Sequence, residues 1–132
     1  MADQPNQKKI LLIDDDTFLL DMYSLKFGKA GYEVKTADST TVGLKMLRDG
    51  YVPDIIMADI VMPTMDGLEM VTAVRTEKLV PQAVIIMLTN QGSPDDVARA
   101  RKMNVDGYIV KATTIPSEVL KEVEKICSSK KS

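Results

Sequence analysis

Histidine is absent from this chain of 132 residues, and cysteine occurs once, as Cys127. Without histidine the chain can contain no Ser-His or Cys-His nucleophile pair, no histidine metal ligand and no phosphohistidine of its own. A single cysteine excludes a disulfide within the chain and favours a reducing compartment, so we expect a cytoplasmic protein. No apolar run approaches the roughly 20 residues of a membrane span. A formal net charge of -2 favours neither nucleic acid nor a membrane surface as a partner.

Short apolar runs alternate with longer segments of helical periodicity. The runs are rich in Ile and Val, as buried parallel strands are. The predicted strands are 9–13, 32–37, 54–58, 83–88 and 107–110, and a helix follows each of them. Strict alternation predicts an α/β fold with a doubly wound, five-stranded parallel sheet and helices on both faces. We expect a single domain over residues 8–127, with short tails at 1–7 and 128–132.

Two of the predicted strands run directly into acidic residues. Ile10–Ile13 is followed by Asp14 and Asp15, and the third strand ends at Asp59. Ligands of doubly wound sheets bind beyond the carboxyl ends of the strands, so these carboxylates are expected in one crevice. Carboxylates that lie close together raise one another's pKa values unless a cation lies among them. Oxygen ligands of this kind suit Mg²⁺.

The other strand ends add a hydroxyl and an amine to the same edge. Thr89 ends the fourth strand, and Lys111 follows the fifth. A carboxylate such as Asp59 can attack phosphorus, while an ammonium and a hydroxyl can neutralise or bond the phosphoryl oxygens. Asp16 is predicted to be a turn or helix-cap residue rather than a ligand, because Asp is common where a strand ends and a helix begins.

At this point the chain resembles the receiver domain of two-component response regulators, including the chemotaxis-type single-domain members. The resemblance covers about Lys8 to Ile126 and implies the flavodoxin-like strand order 2-1-3-4-5. The segments that carry it are Ile10–Asp16 (ILLIDDD), Pro53–Gly67 (PDIIMADIVMPTMDG), Val84–Thr89 (VIIMLT) and Asp106–Lys111 (DGYIVK).

The resemblance assigns the acidic crevice residue by residue. It implies that Asp59 is the phosphoacceptor and that Mg²⁺ or Mn²⁺ is the cofactor. The implied metal ligands are Asp14, Asp15, Asp59 and the backbone carbonyl of Val61, with Asp15 as the more direct ligand of the acidic pair. Thr89 and Lys111 are implied to hold phosphoryl oxygens, and Tyr108 to change rotamer as Thr89 moves.

The sequence departs from the family pattern at three places around the crevice. Ala112 follows Lys111 where the family usually has proline after a cis bond, and a cis bond without proline costs about 3–4 kcal/mol. Asn90 replaces a small residue and is expected to narrow access to Asp59. Val61 and Gln91 flank the pocket where the access of water is tuned, and the apolar Val61 predicts slow to moderate self-dephosphorylation.

The function that the resemblance implies is a signalling switch rather than an enzyme. A sensor histidine kinase or a histidine phosphotransfer protein would donate the phosphoryl group, and output would occur by protein contact through the fourth helix, fifth strand and fifth helix. We expect no direct binding of nucleic acid or membrane. One alternative is a degenerate receiver that acts as a phosphorylation-independent binding module. The other is a haloacid-dehalogenase-like phosphatase, although its Asp-x-Asp-x-Thr/Val pattern meets Phe18 at the last position.

Overall fold

The computed structural model describes residues 7–89, 94–111 and 115–131 of the chain. Five strands alternate with five helices, as predicted. The elements are β1 Lys9–Ile13, α1 Thr17–Lys29, β2 Glu33–Ala37, α2 Thr40–Arg48, β3 Ile55–Asp59, α3 Gly67–Thr76, β4 Val84–Thr89, α4 Pro94–Lys102, β5 Gly107–Val110 and α5 Pro116–Lys131. In the described ranges, no helix combines the length and apolarity needed to cross a membrane.

The strands form one parallel sheet in the order β2-β1-β3-β4-β5, which confirms the predicted fold class. Apolar clusters cover both faces of this sheet, because side chains alternate between the two faces along each strand. All five residues of the central strand β3 are buried. Chain order reverses between β1 and β3, and the carboxyl ends of these strands define the crevice where such sheets bind ligands.

The first three helices begin at polar cap residues. Asp16 caps α1 by accepting a hydrogen bond from the amide of Leu19, as the sequence predicts. Ser39 caps α2. Asp66 caps α3 in a reciprocal capping box with Glu69, in which both hydrogen bonds measure 2.8 Å. These caps fix the points where the chain leaves the sheet and enters each helix.

Element boundaries differ from the sequence predictions mainly at the C-terminus. Helix α5 continues to Lys131, so it extends over residues that the sequence predicts to be a tail. Strands β2, β3 and β4 each begin one residue later than predicted, and β3 and β4 include the polar residue that follows the apolar run. The predicted cap of α4, Ser93, lies outside the described residues.

Candidate functional site

The strand register brings the predicted site residues to one edge of the sheet. In β1, Ile13 pairs with Ala58 of β3, so Asp14 and Asp59 come at the same level of neighbouring strands. In β4, Thr89 pairs with Val110, and Lys111 follows directly. A parallel sheet aligns carboxyl ends, which is why residues separated by up to 97 positions meet here.

The centre of the crevice is a lysine that lies between two buried aspartates. Lys111 Nζ donates hydrogen bonds to Asp14 Oδ2 at 2.9 Å and to Asp59 Oδ2 at 3.0 Å. The side chains of Lys111, Asp14 and Asp59 are 10%, 1% and 3% exposed, respectively. Buried charges of opposite sign that also hydrogen-bond offset much of each other's desolvation cost. Lys111 is therefore the internal counterion of Asp14 and Asp59.

Burial and neighbouring charge have opposite effects on the pKa values of Asp59 and Lys111. Burial raises the pKa of the Asp59 carboxyl, and the hydrogen bond from Lys111 counteracts only part of that rise. Burial tends to lower the pKa of Lys111, but its bonds to Asp14 and Asp59 outweigh that effect, so the pKa of Lys111 is raised. The ammonium consequently stays charged at neutral pH.

The loop after β3 holds the second oxygen of Asp59 in place. Asp59 Oδ1 accepts a hydrogen bond of 3.1 Å from the amide of Val61, whose side chain is exposed at the surface. The buried hydroxyl of Thr40 on α2 donates to the carbonyl of Met65 at 2.6 Å, and the amide of Gly67 donates to the carbonyl of Ile60 at 2.8 Å. Asp59 and the Val61 backbone are thus positioned from both ends of the loop.

The donor set fits a divalent cation that prefers oxygen. Asp14, Asp15 and Asp59 can each offer one carboxylate oxygen, and these atoms lie within 4.8 Å of one another. Both oxygens of Asp14 already accept hydrogen bonds, from Lys111 and from the amide of Asp16. Asp15 is exposed, so its carboxylate is accessible to a solvated ion. The cluster is typical of a magnesium site that keeps several water ligands.

Thr89 contributes a buried hydroxyl to the same edge of the sheet. Its side chain is fully buried, and Oγ1 has no hydrogen-bond partner among the described residues. A buried hydroxyl left unpaired costs about 1–3 kcal/mol. Such a cost at the end of β4 indicates a hydroxyl that is available to a ligand oxygen.

Tyr108 lies on β5 beside this edge and is half-buried. Its hydroxyl accepts a hydrogen bond of 3.3 Å from Arg101 Nη2 on α4. The predicted pocket-tuning residues Asn90 and Gln91 lie outside the described residues. Ala112 does too, so the structure does not describe the isomer of the Lys111-Ala112 bond.

Sequence reasoning missed the side chains that link neighbouring elements around the crevice. Thr40, which holds the loop after β3, gives no local signal beyond its place at the start of a helix. Arg99 on α4 forms an ion pair with Asp66 at 2.9 Å, across 33 positions of sequence. Asp66 can be recognised as a cap from its position before a helical segment, but its second partner cannot.

Comparisons with known proteins agree with this geometry. The family model described as "Response regulator receiver domain" matches residues 10–124. The chemotaxis protein CheY of Pseudomonas aeruginosa is 32% identical over 120 residues, which cover 89% of this chain and 94% of that protein. The structure of the chemotaxis response regulator CheY4 of Vibrio cholerae superposes with a TM-score of 0.83 at 31% identity, covering 92% of this chain and 99% of that one.

Other relatives are longer than this chain. The transcriptional regulatory protein GlrR of Escherichia coli is 34% identical over 102 residues, which cover 77% of this chain but 22% of that protein. AfsQ1 of Streptomyces coelicolor, another transcriptional regulatory protein, is 35% identical over 102 residues, or 44% of its length. The chain thus spans less than half of these two relatives and nearly all of CheY.

Proposed function

This chain belongs to the receiver domain family of two-component response regulators, and from that premise we propose that it is a phosphorylation-dependent switch whose phosphoacceptor is Asp59. The observation that carries the proposal is the buried Asp59 carboxylate with the Lys111 ammonium 3.0 Å away. A phosphoryl group on Asp59 needs a cation beside its oxygens, and a lysine already at hydrogen-bond distance supplies one.

The proposed reaction is phosphoryl transfer from a phosphohistidine. The donor histidine lies on a partner protein, because this chain has no histidine. A carboxylate oxygen of Asp59 attacks phosphorus, a P–O bond forms, and the P–N bond of the donor phosphohistidine breaks. The partner is a sensor histidine kinase or a histidine phosphotransfer protein. Asp14, Asp15, Asp59 and the backbone carbonyl of Val61 are the proposed ligands of Mg²⁺ (or Mn²⁺), which supplies positive charge to the phosphoryl oxygens when bound.

The proposed switch uses the groups at the ends of β4 and β5. Thr89 donates its hydroxyl, which has no partner in the described ranges, to one phosphoryl oxygen. Lys111 moves its ammonium toward another. Tyr108 follows by changing rotamer, so the surface of α4, β5 and α5 changes its preference for a downstream protein. The change in partner affinity can be no larger than the differential stabilisation of the two states.

The lifetime of the phosphorylated state depends on the access of water to Asp59. The exposed Val61 side chain is apolar and can neither orient nor deprotonate an attacking water. We therefore propose slow to moderate self-dephosphorylation. A phosphoryl lifetime of seconds would contradict this part of the proposal.

The direct test is incubation with acetyl phosphate and Mg²⁺ followed by intact-mass measurement. We expect the gain of one phosphoryl group in wild type, its loss in Asp59→Asn and its loss on chelation of the metal. Asp16→Asn is a matched control: the residue belongs to the same acidic run but caps α1, and asparagine caps equally well, so phosphorylation should persist.

The outcomes separate this function from its two alternatives. A wild type that gains no mass would indicate a degenerate receiver that binds partners without phosphorylation. Rapid turnover of phosphomonoesters would indicate a phosphatase instead. Both results would contradict the proposed switch.

A further inference from the structure

Helix α4 is attached to the rest of the domain with little apolar burial. Of its nine residues, Ala100 alone is buried, whereas α3 buries Gly67, Leu68, Met70, Val71 and Val74. Apolar burial is the main source of helix stability in a folded protein. The position of α4 must therefore depend to an unusual extent on polar side-chain contacts.

Arg99 makes a close polar contact between α4 and α3. Its Nη2 donates to Asp66 Oδ2 at 2.9 Å, and its Nη1 lies 3.6 Å from Asp96 Oδ1 on α4 itself. Asp66 uses its other oxygen, Oδ1, to accept the amide of Glu69 at 2.8 Å in the capping box of α3. Because that cap fixes the carboxylate of Asp66 to α3, Asp66 cannot follow α4 if α4 moves.

The start of α3 is also in direct contact with the backbone of the proposed phosphoacceptor. Gly67 follows Asp66, and a Cβ on Gly67 would overlap the carbonyl oxygen of Asp59. The amide of Gly67 donates to the carbonyl of Ile60 at 2.8 Å. The partner of Arg99 is therefore part of a rigid unit that includes Asp59.

We propose that the Arg99–Asp66 ion pair is a lock that holds α4 in its unphosphorylated position. A displacement of α4 away from this unit breaks the ion pair, so the pair opposes switching. This route from Asp59 to α4 does not pass through Thr89 or Tyr108. The inference rests on the proposed function, because the lock matters only if the chain switches.

The size of the effect follows from the exposure of the pair. The side chains of Arg99 and Asp66 are 46% and 24% exposed, which is typical of a surface ion pair. Pairs of this kind favour the state that contains them by a factor of about two to five. Breaking the lock should therefore favour the switched state by the same factor.

The test uses beryllofluoride with Mg²⁺ as a phosphoryl mimic and calorimetric titration of the full chain. The variants are Arg99→Gln, Asp66→Asn, which keeps the cap but loses the charge, and the double variant. Lys102→Gln removes the same charge from an exposed position on α4 and is the control. Amide hydrogen exchange of α4 without beryllofluoride is measured in parallel.

We expect each single variant to bind beryllofluoride about two- to five-fold more tightly and to exchange α4 amides faster than wild type. The double variant should add nothing to the single ones, and Lys102→Gln should match wild type. Unchanged or weaker binding in Arg99→Gln, or additive effects in the double variant, would overturn the lock. A wild type that binds no beryllofluoride would instead overturn the proposed switch, and the lock with it.

Discussion

The contact between Gly67 and Asp59 predicts that Gly67→Ala lowers the stability of the fold and the phosphorylation of the proposed phosphoacceptor, Asp59. An alanine Cβ would overlap the carbonyl oxygen of Asp59 and lie 2.8 Å from the terminal methyl of Met87. The methionine can move aside, but the carbonyl belongs to the fully buried strand β3. The first turn of α3 must move instead, which strains the hydrogen bond from the Gly67 amide to Ile60.

The expected loss of stability is the sum of two costs and one gain. Forcing an extra carbon into a packed site costs about 1–3 kcal/mol, and a weakened backbone hydrogen bond costs about 1 kcal/mol. The higher helix propensity of alanine returns at most about 1 kcal/mol. The free energy of unfolding should therefore fall by about 1–3 kcal/mol, and the melting temperature should fall by roughly 4–12 °C for a domain of this size.

The control is the same substitution at a helical glycine with open space around it. Nothing lies within 4 Å of a Cβ built on Gly28 in α1. Gly28→Ala should raise the free energy of unfolding by up to about 1 kcal/mol. Urea denaturation followed by circular dichroism measures both variants, and acetyl phosphate labelling measures the effect on Asp59. If Gly67→Ala were as stable as wild type, α3 could not lie as close to the Asp59 backbone as the structure shows.

Further predictions concern three other side chains. Thr89→Val replaces by a methyl group a buried hydroxyl that has no partner in the described part of the chain. It should stabilise the fold by about 1–2 kcal/mol in urea denaturation and weaken the binding of beryllofluoride. A less stable variant would show that the hydroxyl has a structural partner. Lys111→Met leaves two buried carboxylates without their cation. The free energy of unfolding measured in chelator should fall by about 3–5 kcal/mol, and Mg²⁺ should restore part of the loss. A variant as stable as wild type in chelator would refute the counterion role. Burial and the nearby Glu124 carboxylate raise the pKa of Tyr32 to about 12. Because the folded state favours the neutral phenol, the stability that Tyr32 contributes is complete below about pH 10 and is lost as pH rises through its folded value. Alkaline absorbance titration of wild type against Tyr32→Phe measures this ionisation, and a Tyr32 phenol that titrates near pH 10 would contradict it.

Strand positions could be predicted from the sequence because the runs of β1 and β5 are short, apolar and bounded by turn residues. Asp14, Asp59 and Thr89 meet at one level because the ends of parallel strands are aligned. The site can therefore be predicted once the strands have been predicted. Asp16 is likewise recognisable as a cap from its place before an amphipathic segment.

Contacts between elements were not predictable in the same way. That Lys111 bonds Asp14 as well as Asp59 depends on side-chain reach across the sheet, which no local pattern records. The Arg99–Asp66 pair depends on where α4 lies against α3, and a solvent-facing arginine has the same local sequence signal whether paired or not. Helix α5 continues past its last strongly apolar residues to Lys131, and the lysines at its end are good helix formers that do not need burial.

The position of Lys111 bears on whether the fold of this protein depends on a metal ion. In domains that fold around an ion, an interruption of metal supply unfolds the chain. Here Lys111, which follows the last strand of the sheet, places one ammonium between Asp14 and Asp59 and offsets part of their charge from within the fold. Folding should then not require a divalent ion, and the main effect of magnesium would be on the proposed phosphorylation of Asp59.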